Sequence, residues 1–430
     1  MSTQMLEARA GRITEEMERV ALQEGVTPEY IRERVADSRI VIPKNTRRSR
    51  SKICGIGEGL DIKVNSLMGT SSDRNDKAME KRKLQLIEEA GADAFMDLST
   101  GDDIDGMRRQ SIASSNIAAG CVPVYQAANE AIEKHGSMVA MTGRDLLDVI
   151  EKECEDGMDF MAVHSAYNRQ LFDILRKTGR LANIVSRGGS ILTAWMHYNQ
   201  KDNPLYAEFD KVLEILKSTD TVLSIGDAIR PGCNFDSLDA AQMAGLMVAG
   251  DLAKRAIEAG VQVMVEGPGH VPLNHIATTM QMQKRLCHNV PYYILGFLAT
   301  DVAPGYDNIT GAIGGAFAGM HGADFLCNLT PAEHLGLPTE EDVVMGVRTA
   351  RIAADCANVL RRGGRAWNRS LAMAKARVNN DVQAQIDNAL MPEVLRERLA
   401  REPKHDHCAA CSDGLCPADV AYDYFFGDNA

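Results

Sequence analysis

Three cysteines close to the end of the chain have the spacing most suggestive of chemistry. Cys408, Cys411 and Cys416 form a C-x2-C-x4-C set. The intervening Ser412-Asp413-Gly414 suggests a turn that wraps a centre. Three thiolates suit an iron–sulfur cluster with one iron left open. With His407 beside them they also suit a structural zinc of the Cys3His type, and unligated thiols are the third reading. An open iron could chelate the amino and carboxylate groups of S-adenosylmethionine, and an electron from the cluster could then break a carbon–sulfur bond. The remaining cysteines, Cys54, Cys121, Cys154, Cys233, Cys287, Cys327 and Cys356, are scattered singly and read as small hydrophobes.

A second set of reactive groups recurs at the ends of short apolar runs. In order these are Asp97-Leu98-Ser99-Thr100-Gly101, Tyr125-Gln126, His164-Ser165, Ser186-Arg187-Gly188-Gly189, Asp227 with Arg230-Pro231-Gly232, Glu266-Gly267-Pro268-Gly269-His270, and Thr300-Asp301. The runs lie near 62–68, 93–98, 121–125, 159–164, 182–186, 221–226, 261–266, 292–298 and 324–327. Between them are amphipathic stretches such as 76–90, 143–156, 205–218, 238–259 and 273–287. Strands alternating with helices imply a parallel sheet with right-handed crossovers. Eight or nine such units over about 270 residues fit an α/β fold closed as a (β/α)8 barrel of the TIM type better than an open sheet. In such a barrel the polar run-ends share the C-terminal rim, where chemistry is built. One of them alone reads as a helix cap. Seven in succession, carrying acid, base, hydroxyl and guanidinium groups, read as a site.

The chain has 430 residues, enough for two or three domains or for one large barrel with additions at each end. Hydrophobic residues at 45% and charged residues at 25% permit a large core and exclude disorder. A net charge of −12 disfavours a nucleic-acid partner, which requires clustered positive charge. The one basic run, Lys44 to Lys52 with Arg47, Arg48 and Arg50, reads as a solvated loop. No apolar run reaches the ~18 residues that span a bilayer, and Met1 to Arg12 lacks the apolar region of a signal peptide. The expectation is a cytoplasmic protein with no membrane partner. Thr14 before Glu15-Glu16, and Thr27-Pro28-Glu29, read as helix N-caps. Gly55-Ile56-Gly57-Glu58-Gly59 imitates a dinucleotide fingerprint but lacks its third glycine and a clear preceding strand; it reads as a flexible turn. After residue 345 the pattern is helical over 347–360, 382–390 and 393–400, then polar over 401–407. The expected organisation is an N-terminal domain at 1–60, a barrel at 61–345, and C-terminal helices with a cluster segment at 346–430.

Several longer stretches carry a family resemblance. They are Met96-Asp97-Leu98-Ser99-Thr100-Gly101, Ser186-Arg187-Gly188-Gly189-Ser190, Glu266-Gly267-Pro268-Gly269-His270-Val271-Pro272, Ala303-Pro304-Gly305-Tyr306-Asp307 and Pro331-Ala332-Glu333-His334-Leu335-Gly336-Leu337-Pro338. With the terminal cysteine set, they resemble the signatures of the ThiC family of radical S-adenosylmethionine enzymes, in the same order over most of residues 1–420. The resemblance implies a [4Fe–4S] cluster on Cys408, Cys411 and Cys416, S-adenosylmethionine, and aminoimidazole ribonucleotide as substrate. It implies substrate-lining positions at Met96, Tyr125, His164, Ser186, Arg187, Gly188, Asp227, Arg230, Glu266 and Tyr293. A second divalent metal, zinc or iron, falls on His270 and His334, 64 residues apart. The resemblance also implies a homodimer in which one chain's cluster segment covers the other's barrel, and an electron donor that the sequence does not identify. The chemistry agrees: the glycine-rich turn Ser186 to Gly189 offers N–H groups and a guanidinium to a phosphate, Asp227 suits ribose hydroxyls, and Glu266 could transfer a proton as the catalytic acid or base.

Departures from the family pattern gather around the pocket. A substrate-facing asparagine of the family is Leu67 here, in Val64-Asn65-Ser66-Leu67-Met68-Gly69. Others are Ser165-Ala166, Ala228-Ile229, Asn308, Asn328 and Ser412. The cluster cysteines, the two histidines and the phosphate turn persist. That combination favours the paralogous enzymes that make 5-hydroxybenzimidazole, a lower-ligand base of cobamides, over synthesis of the thiamin pyrimidine from the same ribonucleotide. Two rivals of other classes are a zinc-dependent barrel hydrolase using His270, His334 and a carboxylate such as Glu266, with a structural zinc at the tail, and an iron–sulfur sensor.

Overall fold

Eight short runs of apolar and small residues form one closed parallel barrel: β1 (Lys63–Met68), β2 (Ala94–Asp97), β3 (Ala118–Cys121), β4 (Phe160–Val163), β5 (Val222–Ile225), β6 (Val263–Glu266), β7 (Tyr292–Ile294) and β8 (Phe325–Cys327). This computed structural model describes residues 2–50, 52–362, 364–401, 420, 421 and 425. Each strand pairs in parallel with its sequence neighbour, and β8 closes onto β1 with Cys327 opposite Asn65. Closure leaves no free strand edge. Nearly all the strand residues are buried, as expected when helices cover the outside and side chains fill the inside.

Two expected strands are corrected. The run at 121–125 is displaced: β3 is Ala118–Cys121, and Pro123 begins the helix Pro123–His135. Proline has no N–H for a central ladder but fits the first turn of a helix. The small residues of β3 are needed for packing, since a Cβ on Gly120 would lie 2.3 Å from the Phe160 ring. The run at 182–186 is no strand; it joins the helices Arg169–Thr178 and Arg187–Asn199, with Asn183 at φ 50°. The helix expected at 205–218 divides into Pro204–Ala207 and Phe209–Thr219.

Near the N-terminus, Thr14 and Thr27 cap their helices by accepting from Met17 N and Tyr30 N. The glycine-rich stretch is built rather than flexible: Ile56–Gly57 pairs antiparallel with Ile40–Val41. Gly57 sits at φ 144°, and a Cβ there would come within 2.1 Å of the Arg39 carbonyl oxygen. The basic run also departs from a solvated loop. Arg48 and Arg50 are buried. Arg48 is ion-paired with buried Asp159, immediately before β4, and donates to the Ile117 and Ser115 carbonyls at 2.9 and 2.8 Å. Asn45 N–H donates to Asp159 at 2.9 Å. The cations thus anchor the N-terminal segment across the lower end of the barrel. Desolvation makes such buried charge tolerable only when paired.

The described residues form two compact units, divided between residues 357 and 358. The first holds the barrel core and a smaller apolar cluster around Met17, Val20, Ile31 and Val35. The helix Glu340–Arg362 runs across the division. The second contains Arg365–Val378, which the sequence pattern did not show, then Val382–Asn388 and Pro392–Arg401. Among the described residues no helix is long and apolar enough to cross a membrane.

Candidate functional site

At the C-terminal ends of the strands lies a cavity of about 80 Å³. Met96 from β2, Tyr125 from the helix after β3, His164 just after β4, Arg230 from the loop after β5, Glu266 ending β6 and Tyr293 from β7 all line it. Six of the ten predicted substrate positions therefore converge on one space. The rest of the wall is mostly apolar: Leu67, Leu98, Val122, Ile294 and Leu295, with Cys327. Leu67, where the family pattern has an amide, supplies hydrocarbon to this wall.

The ionisable groups here are displaced by burial. Burial lowers His164 to about 3, reinforced by the nearby Arg230 guanidinium, so its imidazole is neutral. Its Nδ1 is buried without a hydrogen-bond partner. Gly188 and Gly226 let backbone approach that ring, since a Cβ on either would lie within 3.0 Å of it. Burial raises Glu266 to about 7, against the opposing pull of Arg230. Its carboxylate accepts long hydrogen bonds, both 3.4 Å, from Ser224 Oγ and Asp227 N–H. Burial likewise raises Asp227 to about 6. Asp227 faces an adjoining pocket with Gln242 and Tyr292, a pocket that Glu266 also borders. A carboxyl poised near neutrality can both give and take a proton.

The remaining predicted positions, Ser186, Arg187, Gly188 and Asp227, adjoin residues that line this cavity. Ser186 caps the helix Arg187–Asn199, its Oγ accepting from Gly189 N–H at 3.1 Å. The serine hydroxyl is thus committed to the cap, which leaves the first N–H groups of the helix and Arg187 as the groups that could meet an anion. Arg187 lies over the Tyr125 ring, 4.9 Å from its centroid. Gly189 packs against the Ala228 carbonyl, where a Cβ would lie 1.8 Å away. This contact joins the phosphate-type turn to the loop that carries Asp227 and Arg230.

His270 and His334 come together with ring centroids 5.4 Å apart. Each has a carboxylate on Nδ1: Asp301 at 2.8 Å from His270, and Asp307 at 2.9 Å from His334. A carboxylate on one ring nitrogen fixes the tautomer and leaves the other nitrogen's lone pair for a metal. The pair thus fits a divalent ion. Asp301 was visible in sequence as a polar rim residue and Asp307 as part of a family stretch, but no spacing signal assigned either to the histidines. Among the described residues no three His, Cys, Asp or Glu side chains converge as a metal set. Cys408, Cys411 and Cys416 lie outside the described residues.

A model of the Radical SAM ThiC family matches residues 3–423. The chain is 73% identical over 98% of its length, and 99% of the relative, to a 5-hydroxybenzimidazole synthase BzaB of Eubacterium limosum. It is 59% identical, over the same shares, to a protein of that name from Moorella thermoacetica. A phosphomethylpyrimidine synthase of Moorella thermoacetica is 52% identical over 98% of both chains.

Proposed function

This chain belongs to the Radical SAM ThiC family, an enzyme family working with an iron–sulfur cluster and S-adenosylmethionine, and from that premise we propose that it converts aminoimidazole ribonucleotide to 5-hydroxybenzimidazole. The observation that carries the product is the 73% identity, across nearly the whole chain, to a synthase of that base. The apolar wall around Leu67 supports it, because a benzenoid ring is best received by hydrocarbon.

In this reading Cys408, Cys411 and Cys416 hold the [4Fe–4S] cluster, leaving one iron for S-adenosylmethionine. When bound, that pair supplies a carbon radical that removes a hydrogen atom from the ribose. The chain's own residues do the rest. The N-terminal turn of the helix Arg187–Asn199, with Arg187, binds the phosphate. Asp227 and Arg230 hold the ribose. Neutral His164 offers an uncharged hydrogen-bonding edge. Glu266 moves a proton while ribose carbons are joined to the imidazole and phosphate and formate depart. His270 and His334 hold a divalent ion, which would supply a positive charge to orient an anionic ligand group. The enclosed barrel interior excludes water from reactive species. A homodimer, with one chain's terminal segment over the other's barrel, and a separate electron donor complete the proposal.

The test is anaerobic reconstitution followed by mass spectrometry with ribonucleotide, S-adenosylmethionine and reductant. The expected product is 5-hydroxybenzimidazole, lost on Cys411→Ser. Hydroxymethylpyrimidine phosphate in its place would move the chain to the thiamin reaction, and zinc without iron or labile sulfide would overturn the radical chemistry.

A further inference from the structure

The loop after β5, residues 226–239, carries Asp227 and Arg230 and is tied to the loops on both sides of it. On one side the Asp236 carboxylate accepts from the Leu181 and Ala182 N–H groups at 3.0 and 2.8 Å, just before the turn at Ser186. Buried Arg180, paired with Asp239, donates to the carbonyls of Ile229 and Arg230. On the other side Asn234 reaches the loop after β7. Its backbone N–H donates to Asp301 Oδ2 at 2.8 Å, and its side-chain amide donates to the Ala299 carbonyl at 3.1 Å. A peptide N–H can only donate and a carbonyl can only accept, so the direction of both bonds is fixed.

Asp301 therefore divides its carboxylate between two sites. Oδ2 takes the Asn234 N–H, while Oδ1 sits 2.8 Å from His270 Nδ1. Of the two tautomers of a neutral imidazole, only the one with hydrogen on Nδ1 can donate to that oxygen. The other would set a nitrogen lone pair against the carboxylate and repel it. A divalent ion on His270 selects the donating tautomer, because it takes the lone pair of the other nitrogen. Asp301 is then held in place, and with it the Asn234 end of the loop that carries Asp227 and Arg230. We propose that Asp301 and Asn234 are positioning residues that link the histidine pair to the β5 loop, so that a divalent ion on the histidines raises the affinity for the ribonucleotide. This rests on the metal and ribonucleotide readings above and adds a coupling between them. Such coupling is reciprocal, so the ribonucleotide tightens the ion by the same factor.

The test uses cluster-reconstituted protein without reductant. It is titrated calorimetrically with aminoimidazole ribonucleotide at zero and at saturating zinc, and zinc affinity is read by chelator competition with and without the ribonucleotide. Wild type is expected to bind the ribonucleotide ~10-fold more tightly with zinc, and zinc more tightly by the same factor with the ribonucleotide. Asn234→Pro deletes the N–H at the first position of the short helical turn Asn234–Asp236, where the fixed φ of proline fits. It should bring the factor to within about twofold of unity. Asn234→Ala keeps the N–H and should retain the coupling. Asp301→Asn, with one acceptor oxygen for two donors, should lose it. Coupling that survives in either Asn234→Pro or Asp301→Asn would mean that the ion acts on the ligand directly, and would overturn the proposal. So would a wild-type factor below about twofold when both ligands bind. Absence of zinc binding by wild type would overturn the metal reading, absence of ribonucleotide binding the substrate reading, and this proposal falls with either.

Discussion

Replacing Glu266 by glutamine should change how stability depends on pH. Burial raises this carboxyl from 4.5 to about 7 in the folded chain. An unfolded glutamate titrates near the ordinary value, so folding takes up a proton between those limits. The stability contribution is therefore at its fullest below pH 4.5. It falls as pH rises toward 7 and levels off above that. At about 1.36 kcal/mol per pKa unit, the span corresponds to about 3 kcal/mol. Glu266→Gln removes this titration while keeping size and an acceptor for the Asp227 N–H. Asp227 also titrates from a raised position, but it does so in both proteins and largely cancels in the difference. The variant's stability relative to wild type should thus grow by about 3 kcal/mol between pH 4.5 and 7.5. Unfolding entropy of about 2.1 cal/mol/K per residue, over the 357 residues of the first unit, converts this to about 4 °C in midpoint. Scanning calorimetry across that pH range, without ligand, reads it directly. Parallel midpoint-versus-pH curves for the two proteins would refute the premise that a buried carboxyl near neutrality stands at this site.

Asp301→Asn removes the charge behind His270 but keeps a hydrogen-bonding group, and should lower affinity for a divalent metal ~10-fold or more in a chelator competition; unchanged affinity would separate the histidine pair from metal binding. Arg48→Ala strips buried Asp159 of one of its two cations and should cost ~3 kcal/mol in urea unfolding; a cost below ~1 kcal/mol would mean the segment is not anchored through that pair. Leu67→Asn introduces an amide into the apolar wall and should lower kcat/KM for benzimidazole formation ~10-fold; full activity would show that this wall does not sense the product ring.

The barrel was legible because its period is written in hydrophobicity: short apolar runs separated by amphipathic helices, each ending in a polar residue. The rim was legible for the same reason, and six of its positions do meet in one cavity. The failures have identifiable causes. β3 is Ala118-Ala119-Gly120-Cys121, too small in side chain to announce a strand, yet small because Phe160 fills the space. The apolar run at 182–186 has strand composition but no neighbouring strand to pair with. Arg48 and Arg50 look like surface residues because their charge is local, while the carboxylate that neutralises them is more than a hundred positions away at Asp159.

Local order therefore fixes what nearby residues determine: the helix caps at Thr14 and Thr27, the alternating units, the cysteine spacing, and the residue types along the rim. Only barrel closure decides which distant side chains become neighbours. It brings Asn65 to Tyr293, separated by 228 positions in sequence, sets His270 beside His334 with a carboxylate behind each, and withdraws water from Glu266 until its proton is held near neutrality. Hydrophobic period is a short-range property of the chain, whereas desolvation and convergence of charges depend on the enclosure that the whole barrel creates.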